Sequence, residues 1–153
     1  PLVYGPGVRA NFRAMMLAVA LGLPLPFGSF DHNRRSIVSL ANLVDLLLRC
    51  AQHPAAANRT FHASDAEDLS TAELLRRLGR ALGRPARLFS VPAGPLMAGA
   101  RLVGLASVVD RLGLSLQLDV SETHRLLGWQ PCCTVDAALR ETAQEFQGRR
   151  DQH

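Results

Sequence analysis

The chain has 153 residues, of which 48% are hydrophobic and 5% aromatic, and its formal net charge is +4. This length is enough for one compact domain with an aliphatic core. All 17 basic residues are arginine, which excludes a Schiff-base lysine, a P-loop lysine and a tyrosine–lysine acid/base pair within this sequence. The chain contains no apolar run of about 20 residues that would span a bilayer, and it has no signal-peptide pattern.

Strands alternate with helices from the first residues onward. The first third predicts a strand at Pro1–Tyr4, a helix over Val8–Leu21, an extended proline-containing loop at Leu23–Arg35 and a strand at Ser36–Leu40. Asn42 stands where the N-cap of the next helix is expected, and Pro54 closes that helix.

The rest of the chain continues this alternation with shorter strands. Short strands are predicted at Thr60–Ala63, Arg87–Val91 and Leu116–Leu118. Helices are predicted after a capping box of Ser70 and Glu73, over Pro95–Leu112, after Ser121 up to Gly128, and after Thr134 over Val135–Phe146. The order of elements indicates an α/β protein with small strands between helices.

The positive charge raises the question of nucleic-acid binding. Arginine forks suit phosphate oxygens, but these arginines are scattered and few aromatic side chains are available to stack bases. We therefore expect a solvated basic surface and no nucleic-acid partner. A non-enzymatic basic module for nucleic acid or a protein partner, resting on the arginines of Leu74–Arg87, is the alternative.

The cysteines and histidines give no pattern of a redox or metal centre. Cys50, Cys132 and Cys133 form an odd set without a disulfide framework, which favours a reduced, cytoplasmic compartment. No histidine pair or histidine–cysteine pair has metal-ligand spacing, so we expect no metal site.

Three segments suit an anionic, ring-bearing ligand. In YGPGVRANF a glycine turn leads into a helix start, where free N–H groups favour anions. In GLPLPFG…NRRS, a proline-stiffened loop presents Phe27 beside Arg34 and Arg35, a ring for a base and cations for a phosphate. The third segment, DRLGLSLQLDVSETHRLLGW, contributes Arg111 ahead of a capped helix.

These motifs, with RRSIVSLANL and the final LGWQP, resemble in family order the second half of the extended short-chain dehydrogenases, the NAD-dependent nucleotide-sugar epimerases and dehydratases. The resemblance extends from Pro1 to about Phe146. It implies the C-terminal part of a Rossmann-type fold without its N-terminal dinucleotide-binding half. The start at Pro1, inside an apolar run, fits a piece of a longer protein. We expect a substrate-binding part at residues 1–147 and a frayed polar tail at 148–153.

The resemblance implies that six residues contact a nucleotide-sugar substrate: Asn11, Phe12, Leu25, Phe27, Arg35 and Arg111. Asn11 matches the family asparagine that contacts the diphosphate region, and Phe27 matches the loop position that packs on the base. Arg35 matches the pyrophosphate arginine, and Arg111 the second phosphate arginine. Leu2 replaces an asparagine that many members have in the first motif, and Asn42 stands where the family has an aspartate cap.

The resemblance implies that this chain contributes a substrate-binding site and not a catalytic centre. The family's Tyr-x-x-x-Lys and glycine-rich fingerprint are absent here, and Tyr4 belongs to the YGP motif instead. We therefore expect no catalytic residue, no cofactor for this chain alone, and NAD or NADP in the full-length parent. A UDP-sugar of polysaccharide or lipopolysaccharide synthesis is the expected ligand. A homodimer or self-associating fragment is the expected assembly, with no membrane partner.

Overall fold

The computed structural model describes residues 1–102, 104 and 106–150, without the side chains of Ala93 and Val108. Its elements in chain order are β1 (Leu2–Tyr4), α1 (Ala10–Ala20), β2 (Arg35–Ser39), α2 (Leu40–Gln52), a 3₁₀ helix (Pro54–Ala56), β3 (Asp68–Leu69), α3 (Thr71–Ala81), α4 (Ala93–Leu102), α5 (Ala106–Gly113), α6 (Ser121–Leu127) and α7 (Val135–Arg150). The α/β class expected from the sequence is confirmed.

The chain divides into two compact units that alternate along the sequence. The first, here called the sheet unit, comprises Pro1–Val8, Ser36–Asp68 and the described residues from Leu116 onward. The second, the helical unit, comprises Arg9–Arg35 and Leu69–Ser115.

The sheet unit is organised around a short parallel sheet of strand order β1-β2-β3. β1 and β2 pair in parallel, with Leu2 opposite Ile37 and Tyr4 opposite Ser39. Ser39 also caps α2, which follows the strand without a loop because the Ser39 Oγ accepts a hydrogen bond from the Asn42 N–H.

Buried side chains of α2, α6 and α7 contribute to the core of the sheet unit. Leu46, Leu127 and Trp129 form one buried cluster, and the Trp129 indole donates a hydrogen bond to Asp45 at 2.7 Å. Along α7, the buried residues recur at helical spacing: Val135, Ala138, Leu139, Thr142, Ala143 and Phe146.

The helical unit is built on the packing of α1 against α3. α1 buries Phe12, Met16 and Val19, spaced by four and three residues so that they share one face. Burying each of these side chains contributes roughly 1.5–3 kcal/mol relative to leaving it exposed. Glycine ends α1, since Gly22 has φ 69°, a left-handed conformation that favours a residue without Cβ.

Several sequence predictions are confirmed. β1, β2, α1 and α3 lie within one or two residues of their predicted bounds. The Ser70 Oγ accepts a hydrogen bond from the Glu73 N–H at 3.1 Å, and Thr134 caps α7 through the Ala137 N–H. α7 continues past Phe146 to Arg150, so the described part of the predicted tail is helical.

Two cap predictions are wrong. Asn42 is not the N-cap of α2; it lies in the first turn, fully buried, and Ser39 caps the helix instead. Ser121 is the first residue of α6 and not its cap, because Val120 holds the cap position and the Asp119 carboxylate accepts from the Ser121 N–H. In both cases the polar side chain that reaches the helix start belongs to a residue two or three positions earlier.

Three predicted strands do not form. Thr60–Ala63 has no strand residue, Arg87–Val91 has a single bridge from Leu88 to Leu25, and only Leu116 of Leu116–Leu118 is a bridge residue. A continued parallel ladder would have the Phe27 N–H donate to the Phe89 carbonyl, but the Gly28 N–H donates there instead, so the pairing stays a single bridge.

The single helix predicted over Pro95–Leu112 is two helices. α4 ends at Leu102 and α5 begins at Ala106, with Gly104 at φ 72° between them. A left-handed residue breaks the helical hydrogen-bond series, and Val103 and Leu105 lie outside the described residues. None of the described helices combines the length and the apolar character needed to cross a membrane.

Candidate functional site

Two of the predicted phosphate-binding arginines belong to segments of the helical unit that a hydrogen bond joins. Arg35 begins β2, and its guanidinium donates a hydrogen bond to the backbone carbonyl of Arg111 in the last turn of α5. Arg35 is half-buried and Arg111 is exposed. Among the described residues neither has a carboxylate partner. The structure therefore joins the Arg35 side chain to the backbone of Arg111, and no carboxylate of the described residues pairs with either guanidinium.

The neighbouring arginine has a different role. The Arg34 guanidinium turns back onto its own loop, where it donates to the carbonyls of Asp31 at 2.8 Å and Asn33 at 3.0 Å. Because these bonds hold the loop, Arg34 braces the segment from which Arg35 extends.

An aromatic pair adjoins the end of α5. The Phe27 and Phe30 rings meet edge to face with centroids 5.5 Å apart. A Cβ on Gly113 would lie 2.9 Å from the Phe30 ring, so the close approach of this ring to the helix end requires glycine. Gly113 is two residues beyond Arg111, which connects the aromatic pair to the arginines through α5.

An open cleft of about 200 Å³ lies beside the aromatic pair, lined by Ser29, Phe30, His32, Asn33, Val91 and Gly113. Sequence reasoning identified none of these six as site residues. Phe30 had a signal, since it stands three residues after Phe27 in the same loop. Gly113 had none, because its contact with Phe30 joins segments far apart in the chain.

The loop that carries Phe27 is fastened to the segment before α4. The Leu25 N–H donates to the Arg87 carbonyl at 2.8 Å, and the Phe89 N–H donates back to Leu25 at 3.0 Å. The Gly28 N–H donates to the Phe89 carbonyl at 3.0 Å. The predicted site residue Leu25 thus anchors the loop through its backbone, with its side chain half-buried.

The two predicted site residues on α1 differ in exposure. Asn11 is exposed in the first turn, where no side chain of the N-cap residue Arg9 bonds the helix and no acidic residue lies nearby in sequence. Phe12 is 1% exposed and belongs to the core of the helical unit. Its ring therefore fixes α1 and presents no surface to a ligand.

Tyr4, the tyrosine of the first motif, is buried. Tyr4 lies in the sheet unit, where burial and the hydrogen bond to Asp65 raise its pKa well above the ordinary tyrosine value. No group of three or more histidine, cysteine, aspartate or glutamate side chains in the described part of the chain is arranged to hold a metal ion.

The arginine-rich helix α3 carries its own counter-charge. Glu73 contacts Arg76 at 3.8 Å, Arg77 at 3.0 Å and Arg80 at 3.1 Å. One carboxylate therefore offsets part of the positive charge on which a nucleic-acid surface would depend.

No family model matches the chain. A UDP-glucose 4-epimerase from Vibrio cholerae is 48% identical over 145 residues, which is 95% of this chain and 44% of that protein. The chain thus spans less than half the length of this relative.

Solved structures share the fold at lower identity. A UDP-glucose 4-epimerase of Thermotoga maritima, solved with UDP-glucose, matches 97% of this chain and 44% of its own, with a TM-score of 0.67 and 18% identity. The Bordetella bronchiseptica enzyme WbmF, solved with NAD⁺, matches 99% of this chain and 45% of its own, with a TM-score of 0.70 and 18% identity. The chain belongs to the NAD-dependent epimerase/dehydratase family of extended short-chain dehydrogenases and corresponds to the C-terminal portion of that family's fold.

Proposed function

We propose that this chain is the substrate-binding part, residues 1–147, of a nucleotide-sugar epimerase, dehydratase or reductase acting on a UDP-sugar in polysaccharide or lipopolysaccharide synthesis. The observation that carries the proposal is the meeting of Arg35 and Arg111 without a carboxylate partner among the described residues. Two arginines on bonded segments, neither paired with a carboxylate of the described residues, suit a diphosphate, which arginine binds with paired N–H donors.

The aromatic pair and the cleft provide for the base. A nucleotide base is flat, and stacking on an aromatic ring is worth about 1–3 kcal/mol per base. The half-buried Phe27 ring, held edge-on by Phe30, offers such a face beside the open cleft. The exposed Asn11 amide is the remaining polar group proposed for the diphosphate side.

The dinucleotide belongs to another part of the parent enzyme. This sequence has no G-x-G-x-x-G fingerprint and no lysine, so its residues do not fit NAD or NADP, and we assign none of them to it. The bound nicotinamide of the parent would carry hydride. This chain would hold the nucleotide diphosphate and so place the sugar. By itself it is expected to be inactive and to bind no cofactor.

Calorimetric titration with UDP tests the proposal. The unaltered chain is expected to bind UDP, and Arg35→Ala is expected to weaken binding at least about tenfold, about 1.4 kcal/mol. Arg101→Ala is the matched control, because it removes an exposed arginine on a different helix of the same unit, α4. An equal loss of UDP affinity in both variants would show that positive charge in general, and not Arg35 in particular, binds UDP. Absence of UDP binding by the unaltered chain would contradict the proposed function.

A parallel titration with DNA separates the two candidate functions. A basic binding module would bind DNA with an affinity that falls steeply as salt rises. A nucleotide-sugar part would bind UDP and ignore DNA.

Self-association and a cytoplasmic location complete the proposal. On α2, Val44, Leu47 and Leu48 are 46%, 59% and 57% exposed, and their spacing places them on one face. Exposed apolar patches drive association, so a second copy of this chain is the proposed occupant. The three free cysteines fit a reducing cytoplasm.

A further inference from the structure

The segment from Phe30 to Arg35 is joined to the end of α5 by consecutive residues. The Asn33 amide donates to the Leu112 carbonyl at 3.0 Å, and the Arg34 N–H donates to the Ser115 hydroxyl at 3.0 Å. The Arg35 guanidinium then bonds the carbonyl of Arg111. Three successive residues of the loop thus meet three residues of the stretch that carries the second arginine.

Thr71, the first residue of α3, closes this junction. Its hydroxyl donates to the Leu112 carbonyl at 2.6 Å and accepts from the Asn33 amide at 3.1 Å. Its N–H donates to the Asn33 Oδ1 at 3.2 Å. Asn33 and Thr71 are 8% and 2% exposed, so solvent does not replace these bonds when they are lost.

The start of α3 is fully engaged in this arrangement. The Thr71 N–H serves Asn33, the Ala72 N–H donates to the Phe30 carbonyl at 3.0 Å, and the Glu73 N–H serves Ser70. The N–H groups of this helix end therefore hold the loop and are not open to an anion.

We infer that Asn33 and Thr71 are positioning residues of the phosphate grip, which they serve by holding Arg111 at the correct distance from Arg35. This inference rests on the function proposed above. Asn33 follows Phe30 by three residues and lines the cleft, so the same bonds fix the aromatic side of the site. Leu112 directly follows Arg111, and its carbonyl accepts from both positioning residues.

The chemical reason is preorganisation. Two guanidinium groups that bind one diphosphate repel each other, so the backbone segments that carry them must be held together when the ligand is absent. A rigid arrangement lowers the cost of ordering the site when the diphosphate binds. A small displacement of one arginine would lose the paired geometry even with both side chains present.

The test uses a pair of substitutions at Thr71. Thr71→Val removes the hydroxyl and keeps the size, whereas Thr71→Ser keeps the hydroxyl. We expect Thr71→Val to bind UDP about tenfold more weakly and Thr71→Ser to bind like the unaltered chain. Trp129→Phe, which removes the indole bond to Asp45 in the sheet unit, is the control for general destabilisation and should leave UDP affinity unchanged.

Hydrogen exchange of the α5 amides separates failure of this inference from failure of the proposed function. Exchange over α5 should accelerate in Thr71→Val and not in Thr71→Ser, whether or not UDP binds. Equal UDP affinity and equal α5 exchange in Thr71→Val and the unaltered chain would overturn the inference. Absence of UDP binding in the unaltered chain would overturn the proposed function and the phosphate site with it. The hydrogen-exchange result would still decide whether Thr71 holds α5.

Discussion

Tyr4 offers a sharp test of how the sheet unit is held together. Its hydroxyl, 1% exposed with the rest of the residue, donates to the Asp65 carboxylate at 2.7 Å. That carboxylate also accepts from the Ser39 N–H at 2.9 Å and the Asn42 amide at 2.7 Å. A buried hydrogen bond to a charged acceptor contributes about 1.5–3 kcal/mol. Tyr4→Phe is therefore expected to lower the free energy of unfolding by that amount at neutral pH.

The same hydroxyl predicts a pH dependence. Burial, and then the hydrogen bond to Asp65, raise the pKa of Tyr4 above its ordinary value. Because the folded pKa exceeds the unfolded value of about 10, the stabilisation is fully present below pH ~10. It is lost as the pH rises above that value, by up to about 1.4 kcal/mol per pH unit. Tyr4→Phe should remove this component of the alkaline decline.

The assay is direct because Tyr4 is the chain's only tyrosine. Tyrosinate absorbance then reports one group, and circular dichroism reports folding in the same samples. We expect no tyrosinate signal while the chain stays folded, and its appearance together with alkaline unfolding. Ordinary titration near pH 10 in the folded chain, or an unfolding free energy of Tyr4→Phe within error of the unaltered chain, would refute the reasoning.

Three further predictions concern a cap, a buried amide and the exposed face of α2. Ser70→Ala should cost about 1 kcal/mol in urea denaturation, since it removes the acceptor of the Glu73 N–H; an unchanged midpoint would contradict the cap. Asn42→Ala should cost about 3 kcal/mol or more, because the fully buried amide serves both Asp65 and Cys133, and a loss below about 1 kcal/mol would show that water or relaxation replaces its bonds. Leu47→Glu should shift the chain toward monomer in sedimentation velocity if α2 mediates self-association, and a monomeric unaltered chain would end that proposal.

Local sequence patterns predicted the elements whose hydrogen bonds stay within a few residues. The apolar spacing of Phe12, Met16 and Val19 predicted α1, and the Ser70 and Glu73 pattern predicted the start of α3. The capping bond of Ser70 joins residues three apart, so the sequence contains both partners side by side.

The predictions that failed concern residues whose local structure depends on partners far away in the sequence. Thr60–Ala63 has strand-forming composition, but a strand also needs a neighbour with which to pair, and none forms there. Asn42 has the chemistry of a cap, yet it contacts Asp65 and Cys133, which come from other parts of the chain. A polar residue near a helix start can cap it or be buried, and only packing selects between these outcomes.

The candidate site likewise has features that the sequence predicts and features that only the folded structure shows. The sequence by itself indicated the family, because motif order is a property of the chain, and the resemblance proposed six contact residues that remain predictions. Only the tertiary structure decided that Arg35 meets Arg111, that Phe12 belongs to the core, and that Thr71 joins both arginine-bearing segments. Arg35 and Arg111 are 76 positions apart, and the folded backbone, not residue identity, sets the distance between them.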